Sequence, residues 1–171
     1  FLFPHSFCSP VDANIQLSIA TAFFAYAAGD AFGVQYEFKD GYRVESSLSE
    51  ITDWPLGGVS DDTLLTLLSI KALDSATPAR ARTLFIELLK ENLPVLRGLG
   101  PTTRAAVGLP VKESETHFIG NSNGAMMRTA LMGMAFKSDD DLNRRQWISE
   151  IALATHSHER AVATSLIASK L

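Results

Sequence analysis

The chain of 171 residues is 46% hydrophobic with a formal net charge of −4, which excludes disorder and leaves no basic footprint for duplex nucleic acid. Its length fits a single domain able to bury most of its apolar surface. Cys8 is the only cysteine, so no internal disulfide can form, in keeping with a reducing, cytoplasmic setting.

Residues 1–14 read as an N-terminal arm or a trimmed end, because Phe1-Leu2-Phe3-Pro4-His5 lacks the basic start of a signal peptide. Asp12 or Asn14 is placed to cap a helix over 15–28. Its small residues Ala20, Ala22, Ala25, Ala27 and Ala28 permit close packing, and its mostly apolar surface predicts a central, buried element. The run falls short of the roughly 20 residues that a bilayer demands, so no membrane partner is expected. Residues 38–58, with Asp40-Gly41 and Trp54-Pro55-Leu56-Gly57-Gly58, read as a loop. A helix follows from Asp61 to about Asp74. Thr77-Pro78 opens the next, with Thr as cap, Pro in the first turn and a stripe of Leu84, Phe85, Leu88 and Leu89. Pro94, Gly98, Gly100, Pro101, Gly108 and Pro110 leave room for one short helix near 102–107, for which Thr102 is the simplest N-cap. Further helices are expected over 124–136, after a Ser138 cap with Asp139, Asp140 and Asp141 in the first turn, and from Ser157 or His158 onward. No segment alternates with period two, so the fold class is all-α, with residues 15–171 forming one compact multi-helix domain.

The polar clusters fall at the boundaries of these helices. Asp61 and Asp62 are adjacent carboxylates in Gly57-Gly58-Val59-Ser60-Asp61-Asp62-Thr63, at the start of a helix. They repel each other unless water, helix N-terminal amides or a cation relieve them. A hard cation such as Mg²⁺ suits such oxygen donors; the plainer alternative is an N-cap serine with acids in the first turn. Glu37 ends the stretch Gly29-Asp30-Ala31-Phe32-Gly33-Val34-Gln35-Tyr36-Glu37, where a solvated loop acid is the alternative to a functional one. The segment Gly120-Asn121-Ser122-Asn123-Gly124-Ala125-Met126-Met127-Arg128 opens a helix with small residues. Its amides are placed to hold an anion, against an ordinary turn and cap. Met126 and Met127 read as packing. His156 and His158 are two apart and cannot share a helix face. With no third clustered histidine and a distant cysteine, zinc is a weak idea there.

Taken in order, these clusters, with Pro101-Thr102-Thr103-Arg104 and Thr155-His156-Ser157-His158, resemble the ADP-ribosylglycohydrolase family, from about Ile15 to the last residue. The resemblance implies an all-α hydrolase that cleaves the N- or O-glycosidic bond of ADP-ribosylated proteins or small molecules. ADP-ribosylated substrate or ADP-ribose is then the partner. Ser60, Asp61 and Asp62 match the family's Thr-Asp-Asp motif, which ligates a binuclear magnesium site, with Ser in place of the usual Thr. Glu37 stands where the family's glutamate handles the attacking water, and Asp30 is left to cap or brace a loop. Asn121, Ser122, Asn123, Gly124 and Ala125 correspond to the substrate loop. His158 lines the cleft or is structural, and Glu159 stands where proline is common.

The family also carries a second acidic motif, Asp-x-Asp-Thr or Asp-Thr-Asp, and none follows His158 here. The resemblance therefore implies the N-terminal part of a family domain, with the second magnesium short of ligands. Either a missing segment or a second chain completes it, or the protein is truly short and lacks half its metal shell; residues 1–171 alone are expected to be inactive and to bind metal poorly. Two other readings stay open: a degenerate homologue that binds ADP-ribose, and a plain helical interaction domain.

Overall fold

The computed structural model describes residues 13–36 and 58–170. Every regular element among them is helical. The α-helices are α1 (Ala13–Gly33), α2 (Asp61–Ala72), α3 (Pro78–Asn92), α4 (Pro101–Ala106), α5 (Gly124–Thr129), α6 (Asp141–Leu153) and α7 (Glu159–Ala168), with 3₁₀ turns at Val34–Tyr36, Glu113–Phe118 and Leu131–Ala135. Glu37 and most of the 38–58 loop lie outside the described residues. So does the expected arm, except for Ala13 and Asn14, which already belong to α1.

Local chemistry explains most boundaries. Ser60 is extended, and its hydroxyl accepts the Asp62 N–H at 3.1 Å, while Asp61 and Asp62 complement the positive end of α2. Thr77 accepts the Arg80 N–H at 3.2 Å, with Pro78 at a position that needs no donor. Helix α3 then presents Ala81, Phe85 and Leu89, spaced four apart, to the interior. They meet Leu65 and Leu68 of α2, Met132, and Trp147, Ile148 and Ile151 of α6 in one core. Burial of each large side chain there contributes about 1.5–3 kcal/mol. The Trp147 indole keeps a partner in Asn143 Oδ1 at 3.0 Å. Helix α2 packs on α3 and α5, α3 on α6, and α7 on both α5 and α6.

Five sequence expectations need correction. Helix α1 runs on to Gly33, and Asn14 is inside it rather than at its cap. It is also not a buried central helix among the described residues. Ile19 is covered, yet Leu17, Phe24 and Phe32 are 67%, 66% and 63% exposed. Apolar composition alone could not say how much of the helix surface its neighbours would reach. The expected 124–136 helix breaks after Thr129 and continues as a 3₁₀ turn, where Gly133 presses on the Ser169 carbonyl with no room for a side chain. Asp140, not Ser138, precedes the first residue of α6. Gly100, not Thr102, is the N-cap of α4, because Pro101 already takes a first-turn position.

Candidate active site

Two polar regions flank α1. The first joins the end of α1 to the start of α2. Asp30 Oδ2 accepts three hydrogen bonds, from the N–H of Ser60 at 2.9 Å, the N–H of Thr63 at 3.2 Å and the hydroxyl of Thr63 at 2.6 Å. Asp30 thus braces a loop, as expected, and satisfies free amides of α2 from another helix. It fixes Ser60, Asp61 and Asp62 against α1. A cavity of about 590 Å³ opens here, lined among others by Tyr26, Asp30, Tyr36, Ser60 and Asp62. Burial pushes the Tyr26 phenol above its usual pKa, and the carboxylates of Asp62, Asp30 and Asp61 push the same way against a Thr66 hydrogen bond. The phenol is therefore a neutral donor at physiological pH, and it donates to the Met127 carbonyl at 3.3 Å.

Asp61 is less open than a helix-start acid is expected to be: it is 8% exposed, whereas Asp62 is half-buried. Gly98 explains the cover. Its φ is +85°, and a Cβ there would come within 3.0 Å of Asp61 Oδ1. Glycine supplies both the left-handed turn and the space for the carboxylate. The donor set of this corner is all oxygen, which suits a hard divalent cation. Among the described residues, no three His, Cys, Asp or Glu side chains form a group that could hold a metal ion. The corner therefore offers one wall of such a site.

The second region lies under the Asn121–Ala125 loop. Asn121 and Asn123 are exposed, Ser122 and Gly124 half-buried, and Ala125 fully buried. Ser122 Oγ is 2.8 Å from His156 Nε2, and His156 Nδ1 is 2.7 Å from Thr155 Oγ1. Gly124 sits on the imidazole: a Cβ there would lie 3.2 Å from His156 Cε1. Thr102 reaches the same loop. It donates to the Phe118 carbonyl at 3.0 Å and accepts the Gly120 N–H at 3.1 Å. Gly120, with φ +80°, turns the chain where a Cβ would meet Ser157 Oγ at 2.8 Å.

Arg128 holds this region together from below. It is 1% exposed and donates to Gly124 O at 3.0 Å, Ile151 O at 2.8 Å and Thr155 Oγ1 at 2.8 Å. The Ile151 carbonyl belongs to the negative end of α6, which favours a cation. The guanidinium also lies 4.8 Å from the centroid of the Phe85 ring. Burial lowers the Arg128 pKa to about 9. Burial, with the Arg128 charge nearby, lowers that of His156 to about 3, so the imidazole is neutral.

His158 plays a different part from His156. Its main-chain N–H donates to Gly120 O at 3.1 Å, and its Nδ1 accepts the Arg160 N–H at 3.2 Å, capping α7. It is half-buried beside the loop. The structure thus gathers Ser60, Asp61 and Asp62 with Asp30, and gathers Asn121–Ala125 with His156 and His158. Tyr26, lining the cavity and bonded to α5, links the two regions. Sequence reasoning did not find Tyr26, which looks like one more apolar-helix residue. Nor did it assign a role to His156, for which the one usable signal was its position directly after Thr155.

A family profile described as ADP-ribosylglycohydrolase matches residues 12–171. The chain belongs to the ADP-ribosylglycohydrolase family. Comparison with the curated proteins and with the solved structures found no match. The family is one of glycosidic-bond hydrolases, and the all-helical architecture agrees with it. No helix among the described residues is long and apolar enough to cross a membrane.

Proposed function

We propose that this protein is a magnesium-dependent hydrolase of ADP-ribosyl glycosidic bonds, acting in the cytoplasm on ADP-ribosylated proteins or small molecules. The observation that carries the reading is the acidic corner on a cavity, in a chain whose family match runs from residue 12 to 171. Asp61 and Asp62, with the remaining lone pair of the Ser60 hydroxyl, are the residues that would hold magnesium. When bound, the metal would polarise substrate or water oxygens. Glu37 would orient and deprotonate the attacking water. Its place at the end of the Gly29–Glu37 stretch, in a chain that matches the family, supports the assignment.

The Asn121–Ala125 loop would receive the pyrophosphate. Support comes from the main-chain N–H groups of Ser122, Asn123 and Gly124, which donate to no acceptor among the described residues. Helix α5 is too short for its dipole to add much, so the amides themselves would do the binding. His158, beside Gly120, would line the cleft.

Substitution with separate binding and turnover readouts tests this. Glu37→Gln is expected to preserve ADP-ribose affinity and lower hydrolysis by about 10²-fold or more, as for a lost general base. Asp61→Asn and Asp62→Asn are each expected to abolish the Mg²⁺ binding isotherm in calorimetry. ADP-ribose binding with no magnesium-dependent turnover would favour a degenerate binder. That second reading draws on the Ser60 hydroxyl, which is already engaged as a cap.

A further inference from the structure

Asp61 and Asp62 are neighbours in sequence but not in setting. Asp62 lines the cavity beside α1, together with Ser60. Asp61 lies beneath the chain that joins α3 to α4, where Gly98 passes over it in a left-handed turn. Two more described glycines have positive φ, and the comparison is informative. An added Cβ at Gly108, with φ +80°, would find nothing within 4 Å, and at Gly120 it would meet Ser157. At Gly98 it would meet a carboxylate, 3.0 Å from Asp61 Oδ1 and 3.9 Å from Cγ.

That approach is tighter than ordinary packing, so one side would have to give by a few tenths of an ångström. Two of the three parts are pinned. The start of α2 is held by Asp30 Oδ2, which accepts the N–H of Ser60 and of Thr63, on either side of Asp61. The turn is held by Leu96 and Leu99, on either side of Gly98, which both pack against the hydrophobic core. The carboxylate rotates about its own side-chain bonds and is therefore the part that moves. Such a shift matters to one ion more than to another. Mg²⁺ demands oxygens at about 2.0–2.1 Å in near-ideal octahedral geometry, whereas Ca²⁺ accepts about 2.3–2.6 Å and an irregular shell. Ligand distances in metal sites hold to within about 0.2 Å, so a displacement of a few tenths is felt by Mg²⁺ and absorbed by Ca²⁺.

We propose that Gly98 is a positioning residue for the acidic corner: by carrying no side chain in its left-handed turn it leaves the Asp61 carboxylate undisplaced, and this sets the corner's preference for Mg²⁺ over Ca²⁺. The inference rests on the assignment of Asp61 and Asp62 to magnesium. It adds to them a residue of the α3–α4 connection that offers no ligand atom of its own.

Calorimetric titration of the 171-residue chain with Mg²⁺ and, separately, with Ca²⁺ tests this. Gly98→Ala is expected to lower Mg²⁺ affinity about tenfold or more, the scale for residues that orient metal ligands, and Ca²⁺ affinity by no more than about threefold. A merely structural role for the turn would lower both alike. Gly108→Ala carries the same left-handed backbone strain with no carboxylate in reach, and is expected to bind both ions as the wild type does. Gly98→Asn brings the same Cβ on a residue that tolerates positive φ. It is expected to change the ion preference as Gly98→Ala does, and it replaces that variant should the alanine protein fail to fold. Unchanged Mg²⁺ affinity in the Gly98 variants, equal losses for the two ions, or an equal loss in Gly108→Ala overturns the inference and leaves the functional reading standing. A wild-type chain with no Mg²⁺ isotherm overturns both.

Discussion

The acidic corner and the basic floor of the Asn121–Ala125 loop solve one electrostatic problem at opposite helix poles. At the corner, Asp30 takes its hydrogen bonds from the start of α2, where free N–H groups favour negative charge. Beneath the loop, Arg128 gives its hydrogen bonds to the end of α6, where free carbonyls favour positive charge. The outcome differs in access. Asp30 and Asp62 line an open cavity, whereas Arg128 is sealed and lowered in pKa to about 9. A charge left beside a cavity is available to a ligand; a charge enclosed by carbonyls can only hold structure. The comparison separates groups suited to chemistry from groups suited to positioning.

Removing the sealed cation is the most severe way to break that comparison. Arg128→Met removes the guanidinium donor from the Gly124 carbonyl and the Thr155 hydroxyl, and leaves the Ile151 carbonyl with only the Ala154 N–H at 3.3 Å. It is expected to lower unfolding free energy by about 3 kcal/mol or more, measured by urea denaturation. A loss under about 1 kcal/mol would mean that the α6 carbonyls do not need the guanidinium.

A pH series sharpens the same region. The folded pKa of His156, about 3, lies below its usual 6.5, so the unfolded chain binds one more proton between those values. Stability should therefore rise with pH across that window and fall as the solution is acidified from about 6.5 toward 3. The effect is on the order of a few kcal/mol at the acid end. His156→Gln should flatten that slope by one proton in urea midpoints measured between pH 4 and 7. An unchanged slope would show that the imidazole titrates normally.

At the acidic corner, Asp30→Ala is expected to cost about 1–2 kcal/mol, the scale of a lost helix cap. Thermal unfolding would detect it, and magnesium calorimetry on the same variant would show whether Asp61 and Asp62 still present their oxygens. The smallest change is Gly124→Ala. Its methyl must displace the His156 ring, 3.2 Å away at Cε1, with an expected loss of about 1 kcal/mol. Wild-type stability in this variant would mean that the loop yields easily and does not rest firmly on the imidazole.

Much of this was readable along the chain. Ser60, Thr77-Pro78 and the acids after Ser60 announce helix starts because capping is local: donor and acceptor lie within three residues. The ordered polar clusters carry the family in the same way, since each is a short run with its own backbone requirement. The exposure of α1, the break after Thr129 and the close pass of Gly98 over Asp61 were not readable. Each depends on which distant segment arrives as neighbour.

The sequence by itself determined an all-helical chain, the starts of α2, α3 and α7, and the residue types gathered at their N-termini. Only the tertiary structure decided that Asp30 caps a helix begun thirty-one residues later, at Asp61, and that His156, not His158, supports Ser122. It also decided that Arg128 ends among the carbonyls of α6. The physical reason is the reach of the forces involved. Helix propensity and capping act over a few residues, whereas a buried charge is satisfied by whichever helix end the packed core brings within hydrogen-bond distance.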